Sequence, residues 1–153
     1  MELNDSEVVN RAINILSDKL KLGTTKFKRE TECVDYLRLL IGARKVETFV
    51  VMYMDSRHRL IECQELATGS VDQTFVSPRA IVMKAIENCA KYIMVAHNHP
   101  SGDPHPSDAD INSTQRLGEA LDLFDIELHD HIIVGRAPGF PVWSIANQCE
   151  LRV

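Results

Sequence analysis

The segment Ala96–Asp110, "AHNHPSGDPHPSDAD", constrains the fold more than any other part of the chain. It packs three histidines, three aspartates, three prolines and one glycine into fifteen residues. It begins where "YIMVAH" ends, a short and nearly all-apolar run that fits a strand buried on both faces. It runs into "SDADINSTQRLGEALDLF", whose apolar spacing predicts a helix with Ser107 as its cap. The framework is therefore a central strand, a proline-stiffened loop and a capped helix. His97 and His99 are two apart, so an extended backbone turns both imidazoles to one face. Asp110 falls in the first turn of the helix, where the positive end of the helix dipole favours a carboxylate. The prolines restrict the loop and lower the entropy lost on fixing it.

The rest of the chain supplies partners for that strand. "NDSEVVNRAINILSDKLKLG" reads as an amphipathic helix capped by Asp5 or Ser6 and followed by Gly23. "TECVDYLRLLIG" reads as a second, capped by Thr31 and closed by Gly42. "VETFVVMYMD" and "HRLIECQELATG" are rich in β-branched and aromatic residues and form a hairpin across a turn at Asp55–Arg57. In "SPRAIVMKAIENCAK", Ser77 is the cap and Pro78 takes the first helical position. "IELHDHIIVG" and a short "PVWSI" are the last strands. The order α-α-β-β-α-β-α-β-β implies an α/β (α+β) fold, a mixed sheet flanked by helices.

Two imidazoles and one carboxylate suit zinc, and three protein ligands leave a fourth position for water. Each element alone has a plainer explanation. Ser107-x-x-Asp110 is also a helix-capping pattern, and a lone histidine at a strand end is commonly a satisfied polar group. The combination across a strand–loop–helix junction is what favours a metal. Asp103 and His105 lie in the loop and are expected to be supporting or solvent-facing. His131, beside Asp130 on a strand bordering the site, is a candidate to support a ligand or to bind substrate. Asn98 points away from its neighbours and is expected to make a structural hydrogen bond, and Trp143 to be core. Other histidine-rich patterns fail on spacing: there is no His-Glu-x-x-His and no Pro-Cys-x-x-Cys. Ser101 and Gly102 stand where the metallo-β-lactamase pattern needs Asp and His, and 153 residues are too few for an amidohydrolase barrel. The likeness of His97-Asn98-His99 to the name of the HNH nucleases is accidental.

A net charge of −5 speaks against direct DNA binding, which needs cations to neutralise phosphates. The four lysines of "KLKLGTTKFK" read as a solvated helix end. Cys33, Cys63, Cys89 and Cys149 have no C-x-x-C spacing and read as reduced thiols of a cytoplasmic protein. "MELNDSEVV" is too acidic and polar for a secretory leader, and no apolar run approaches a membrane span.

His97-Asn98-His99-Pro100-Ser101-Gly102-Asp103, Pro106-Ser107 and Asp110 together resemble the signature of the RadC family, a group of JAB/MPN metalloprotease-like domains with the JAMM motif. Ser77-Pro78-Arg79 and Asp130-His131-Ile132-Ile133-Val134-Gly135 agree with it. The likeness runs from about Glu47 to the C-terminus. Where many relatives continue Pro-Arg-Glu, this chain has Pro78-Arg79-Ala80, so no acid is available for that position. Full-length relatives carry a helix-hairpin-helix-like region, whereas two short helices precede the domain here, as in short single-domain members. The resemblance implies a JAB/MPN, cytidine-deaminase-like sandwich over residues 43–153, behind a helical extension at 1–42. It implies that His97, His99 and Asp110 hold Zn2+. It implies that Glu47 is the general base, which would explain a lone acid in an otherwise apolar strand. It also implies that Ser107 stabilises the oxyanion. The implied reaction is hydrolysis of a peptide or isopeptide amide in an unidentified protein or peptide substrate. The family's DNA-repair label leaves two other readings, a DNA-associated module and a catalytically silent scaffold.

Overall fold

A computed structural model describes residues 4–22, 26–69, 76–136 and 138–151. The elements are α1 (Asp5–Leu22), α2 (Lys26–Ile41), β1 (Thr48–Met54), β2 (Leu60–Thr68), α3 (Pro78–Glu87), β3 (Tyr92–Asn98), α4 (Asp108–Asp122), β4 (Glu127–Val134), β5 (Val142–Ser144) and β6 (Cys149–Leu151). The strands form one mixed sheet in the order β2-β1-β3-β4-β5-β6. Among the described residues, β3 and β4 pair in parallel, across the α4 crossover, and the other pairs are antiparallel.

The sheet is covered on both faces, which is why β1 and β3 are almost continuously apolar. Val50, Met52 and Met54 of β1 join Met94 and Ala96 of β3 and the buried side of α1 and α2, including Leu20, Val34, Leu37 and Ile41. The alternate residues Phe49, Val51, Tyr53, Ile93 and Val95 face Ile81, Val82 and Ala85 of α3 and Leu117 and Leu121 of α4. Period-two alternation thus builds two cores from one strand.

Several local details differ from expectation. The cap of α1 is Asn4: its Oδ1 accepts from the Glu7 amide at 3.0 Å, while Glu7 Oε2 accepts from the Asn4 amide at 2.8 Å. This reciprocal pair satisfies two helix-end donors at once, which neither Asp5 nor Ser6 does from inside the first turn. Gly23 lies outside the described residues. Helix α2 begins at Lys26, so Thr31 is interior to it; Gly42 does follow its end, with its amide donating to the Arg38 carbonyl at 3.0 Å. Ser77 occupies the cap of α3 but makes no side-chain cap bond. A sixth strand, β6, lengthens the sheet beyond β5. Trp143 is only half-buried and packs against the His105 ring, with centroids 4.4 Å apart. Among the described residues, no helix is long and apolar enough to cross a membrane.

Helix α2 shares its core with the sheet, and Leu37 is fully buried there. Leu37→Ala should therefore cost about 2–5 kcal/mol, the range for a buried leucine truncated to alanine. Urea unfolding followed by circular dichroism would measure it. A loss below about 1 kcal/mol would mean that α2 contributes little to that core.

Candidate metal centre

The site lies at the C-terminal end of β3, on the face covered by α3 and α4. Phe49 of β1 stands opposite His97 of β3. Continuing that antiparallel register by two residues sets Glu47 opposite His99. Glu47 does not lie within the strand, as its sequence context suggests; it immediately precedes β1, and its carbonyl accepts from the Gly69 amide at 2.9 Å. Its half-buried side chain lines a cavity of about 740 Å3 together with His99, Ser107, Asp110 and His131. Apolar walls come from Phe49, Ile81, Val95 and Leu117.

Asn98 holds that arrangement from behind. It is fully buried, and its side chain faces away from those of its two histidine neighbours. Its Oδ1 accepts from the Thr48 amide at 2.7 Å, and its Nδ2 donates to the carbonyls of Arg44 and Val46, each at 3.2 Å. One side chain thus clamps the backbone on both sides of Glu47.

The loop after His99 is pinned by backbone. The His99 amide donates to the Val134 carbonyl at 2.8 Å, the Gly102 amide to the His99 carbonyl at 3.0 Å, and the Arg136 amide to the Gly102 carbonyl at 3.2 Å. Gly135 permits the approach, since a Cβ there would collide with the Gly102 carbonyl and crowd Pro104 and Pro141. Gly102 itself has φ +111°, a backbone that side chains disfavour.

His97, His99 and Asp110 form a cluster whose donor atoms all lie within 4.8 Å of one another. The two Nε2 atoms are 2.9 Å apart. His97 Nε2 is 3.2 Å from Asp110 Oδ1, and His99 Nε2 is 3.7 Å from Oδ2. His97 and Asp110 are fully buried, and 17% of the His99 side chain is exposed. Burial would raise the Asp110 carboxyl, but its contacts with the imidazoles of His97 and His99 and with the Ser107 amide hold it far below its ordinary range. The bond to Asp110 in turn raises the His99 imidazole against the opposing effect of burial. Two imidazole nitrogens and a carboxylate converging away from water need a shared positive charge, and this donor set suits a divalent metal ion. The residues therefore fit a metal.

Asp110 has a second attachment. Its Oδ2 accepts from the Ser107 amide at 2.7 Å and from the Ser107 hydroxyl at 2.8 Å, and its amide donates to Ser107 Oγ at 3.1 Å. This is a complete capping box, so the pattern is both a helix cap and part of the cluster. Asp103 meets the site through its backbone: its carbonyl accepts from His99 Nδ1 at 2.8 Å. The exposed side chains of Asp103 and His105 pair with each other at 2.6 Å, outside the cluster. His131 adjoins it from behind His97: its Nε2 is 2.8 Å from His97 Nδ1, and its Nδ1 is 2.6 Å from Thr114 Oγ1. Burial drives the His131 imidazole well below its ordinary pKa. Thr114 is a participant that the sequence reading did not single out. Its signal was its spacing, four residues after Asp110 and hence on the same side of α4.

The family model described as "RadC-like JAB domain" matches residues 27–149. The chain is 42% identical over 133 residues to a UPF0758 protein of Vibrio cholerae serotype O1, covering 87% of this chain and 84% of that one. It is 43% identical over 129 residues to a UPF0758 protein of Paraburkholderia phytofirmans, covering 84% of this chain and 49% of the relative. A third, from Chromobacterium violaceum, is 42% identical over 137 residues, covering 88% and 59% respectively. The chain thus spans most of the first relative and about half of the other two.

Asn98→Ala should leave the buried Thr48 amide without its acceptor, at a cost of about 1–3 kcal/mol. Denaturant unfolding would report the loss. Unchanged stability would show that the 44–48 segment does not depend on the clamp.

Proposed function

The chain belongs to the RadC-like JAB domain family, and we propose that it is a zinc-dependent hydrolase of the JAMM type, acting on peptide or isopeptide bonds. The observation that carries this reading is the convergence of His97, His99 and Asp110 at the wall of a cavity that Glu47 also lines. His97, His99 and Asp110 would hold the metal. When bound, zinc supplies an acidified water and a Lewis acid for the scissile carbonyl.

The protein side chains have separate tasks. Glu47 is the general base: it takes the proton of the attacking water and returns it to the leaving amine. Its place at the cavity wall supports that role, since it is near the cluster without belonging to it. Ser107 borders the same cavity and is the candidate donor to the developing oxyanion. Its single hydroxyl proton rests on Asp110, so donation to substrate requires the hydroxyl to rotate away from that carboxylate. The walls formed by Phe49, Ile81, Val95 and Leu117 exclude water from one side of the reacting bond and suit an apolar stretch of substrate.

The test combines metal analysis with cleavage of a proteome-derived peptide library, read by mass spectrometry. The purified protein should carry about one zinc per chain, the single-site stoichiometry of a catalytic zinc. Chelation should abolish cleavage and added zinc should restore it. Glu47→Gln should keep its zinc and lose about 10^2–10^4-fold in rate. A zinc-loaded Glu47→Gln variant as active as the parent on a verified substrate would remove Glu47 from the role. Zinc without cleavage would favour a silent scaffold. Submicromolar DNA binding with steep salt dependence would favour a DNA-associated module.

A further inference from the structure

Behind His97 runs a buried chain of hydrogen bonds whose directions can be worked out from atom types alone. Thr114 Oγ1 lies 2.6 Å from the Asp110 backbone carbonyl and 2.6 Å from His131 Nδ1. A carbonyl can only accept, so the single hydroxyl proton of Thr114 points at Asp110. The hydroxyl must then accept from its other neighbour, and the proton of that contact sits on His131 Nδ1. His131 is 2% exposed, and a second proton would make it a fully buried cation. Its Nε2 is therefore a lone pair. The 2.8 Å contact from that atom to His97 Nδ1 needs one proton, and His97 provides it. In the neutral, ligand form of His97 the lone pair is then at Nε2, aimed at His99 and Asp110.

We propose that Thr114 and His131 are positioning residues for the metal: they lock His97 in the tautomer that presents Nε2 as a ligand, through an Asp110 carbonyl–Thr114–His131–His97 relay. This rests on the reading of His97, His99 and Asp110 as metal ligands. The relay also closes a loop. Asp110 contributes its side chain to the cluster and, through its backbone, sets the proton pattern that prepares the opposite ligand. Helix α4 thereby fixes the carboxylate and orients an imidazole on β3.

Two measurements test the relay, and neither needs a substrate. Long-range 1H–15N spectra of the metal-free protein should show His131 and His97 each protonated at Nδ1. His131 protonated at Nε2 instead would overturn the proposal. Zinc affinity, measured by competition with a chromophoric chelator, should fall by about 10–100-fold in Thr114→Val, the usual effect of losing a partner behind a ligand. Thr114→Ser, which restores the hydroxyl, should recover most of that loss. Wild-type zinc affinity in a folded Thr114→Val protein would also overturn it. If Thr114→Val fails to fold, the wild-type tautomers still decide. A protein that cleaves nothing but shows these tautomers and this affinity loss would refute the hydrolase reading and leave the relay standing.

Discussion

The register of β1 against β3 is the constraint on which the site depends. Phe49 faces His97, and every residue after them follows from that pairing. An antiparallel neighbour starts where its partner ends, so the entry into β1 necessarily arrives beside the histidines. A slip of one residue would turn Phe49, Val51 and Tyr53 out of their core and carry Glu47 to the opposite face. Burial of both sheet faces makes such a slip prohibitive, because each face of β1 is packed against its own pair of helices. The position of one acid is thus enforced by the hydrophobic energy of an entire strand.

Asp110 shows how local and tertiary demands are reconciled. Helix ends leave unsatisfied amides that favour an acid near Ser107. A metal needs a carboxylate without much freedom. The capping box meets both needs, because the bonds from the Ser107 amide and hydroxyl occupy Oδ2 and leave Oδ1 turned to His97. The capping and ligand readings of Ser107-x-x-Asp110 are therefore compatible descriptions of one geometry.

Much of this was legible in the residues. The apolar run 92–97, the loop rich in proline and the capped helix give the junction, and the i, i+2 spacing places two imidazoles on one face. The mixed sheet flanked by helices follows from the alternation of strand and helix patterns. Less visible were features set by short or polar segments. Strand β6, "CEL", is three residues long and carries no periodicity. The cap on α1 is an asparagine one residue outside the expected start, and α2 opens with the cation-rich Lys26-Phe27-Lys28-Arg29 ahead of the expected start at Thr31. Glu47 could be located from its motif but not its exact place relative to β1, because strand ends are set by pairing partners. Thr114 was hidden for another reason: its spacing from Asp110 puts it on the right side of α4, but a helix threonine has no evident role until the carbonyl and the ring it touches are known.

The sheet divides the molecule into two unequal workspaces. Helices α1 and α2 cover one side, while the cavity opens on the other, between α3 and α4. Whatever approaches through the first helices meets a wall of strands before it meets the histidines. The outer surfaces of α1 and α2 are thus separated from the reacting groups by the full thickness of the sheet. The two sides meet in the β3 backbone, where Asn98 looks one way and His97 and His99 the other, and in the 44–48 segment that Asn98 holds around Glu47.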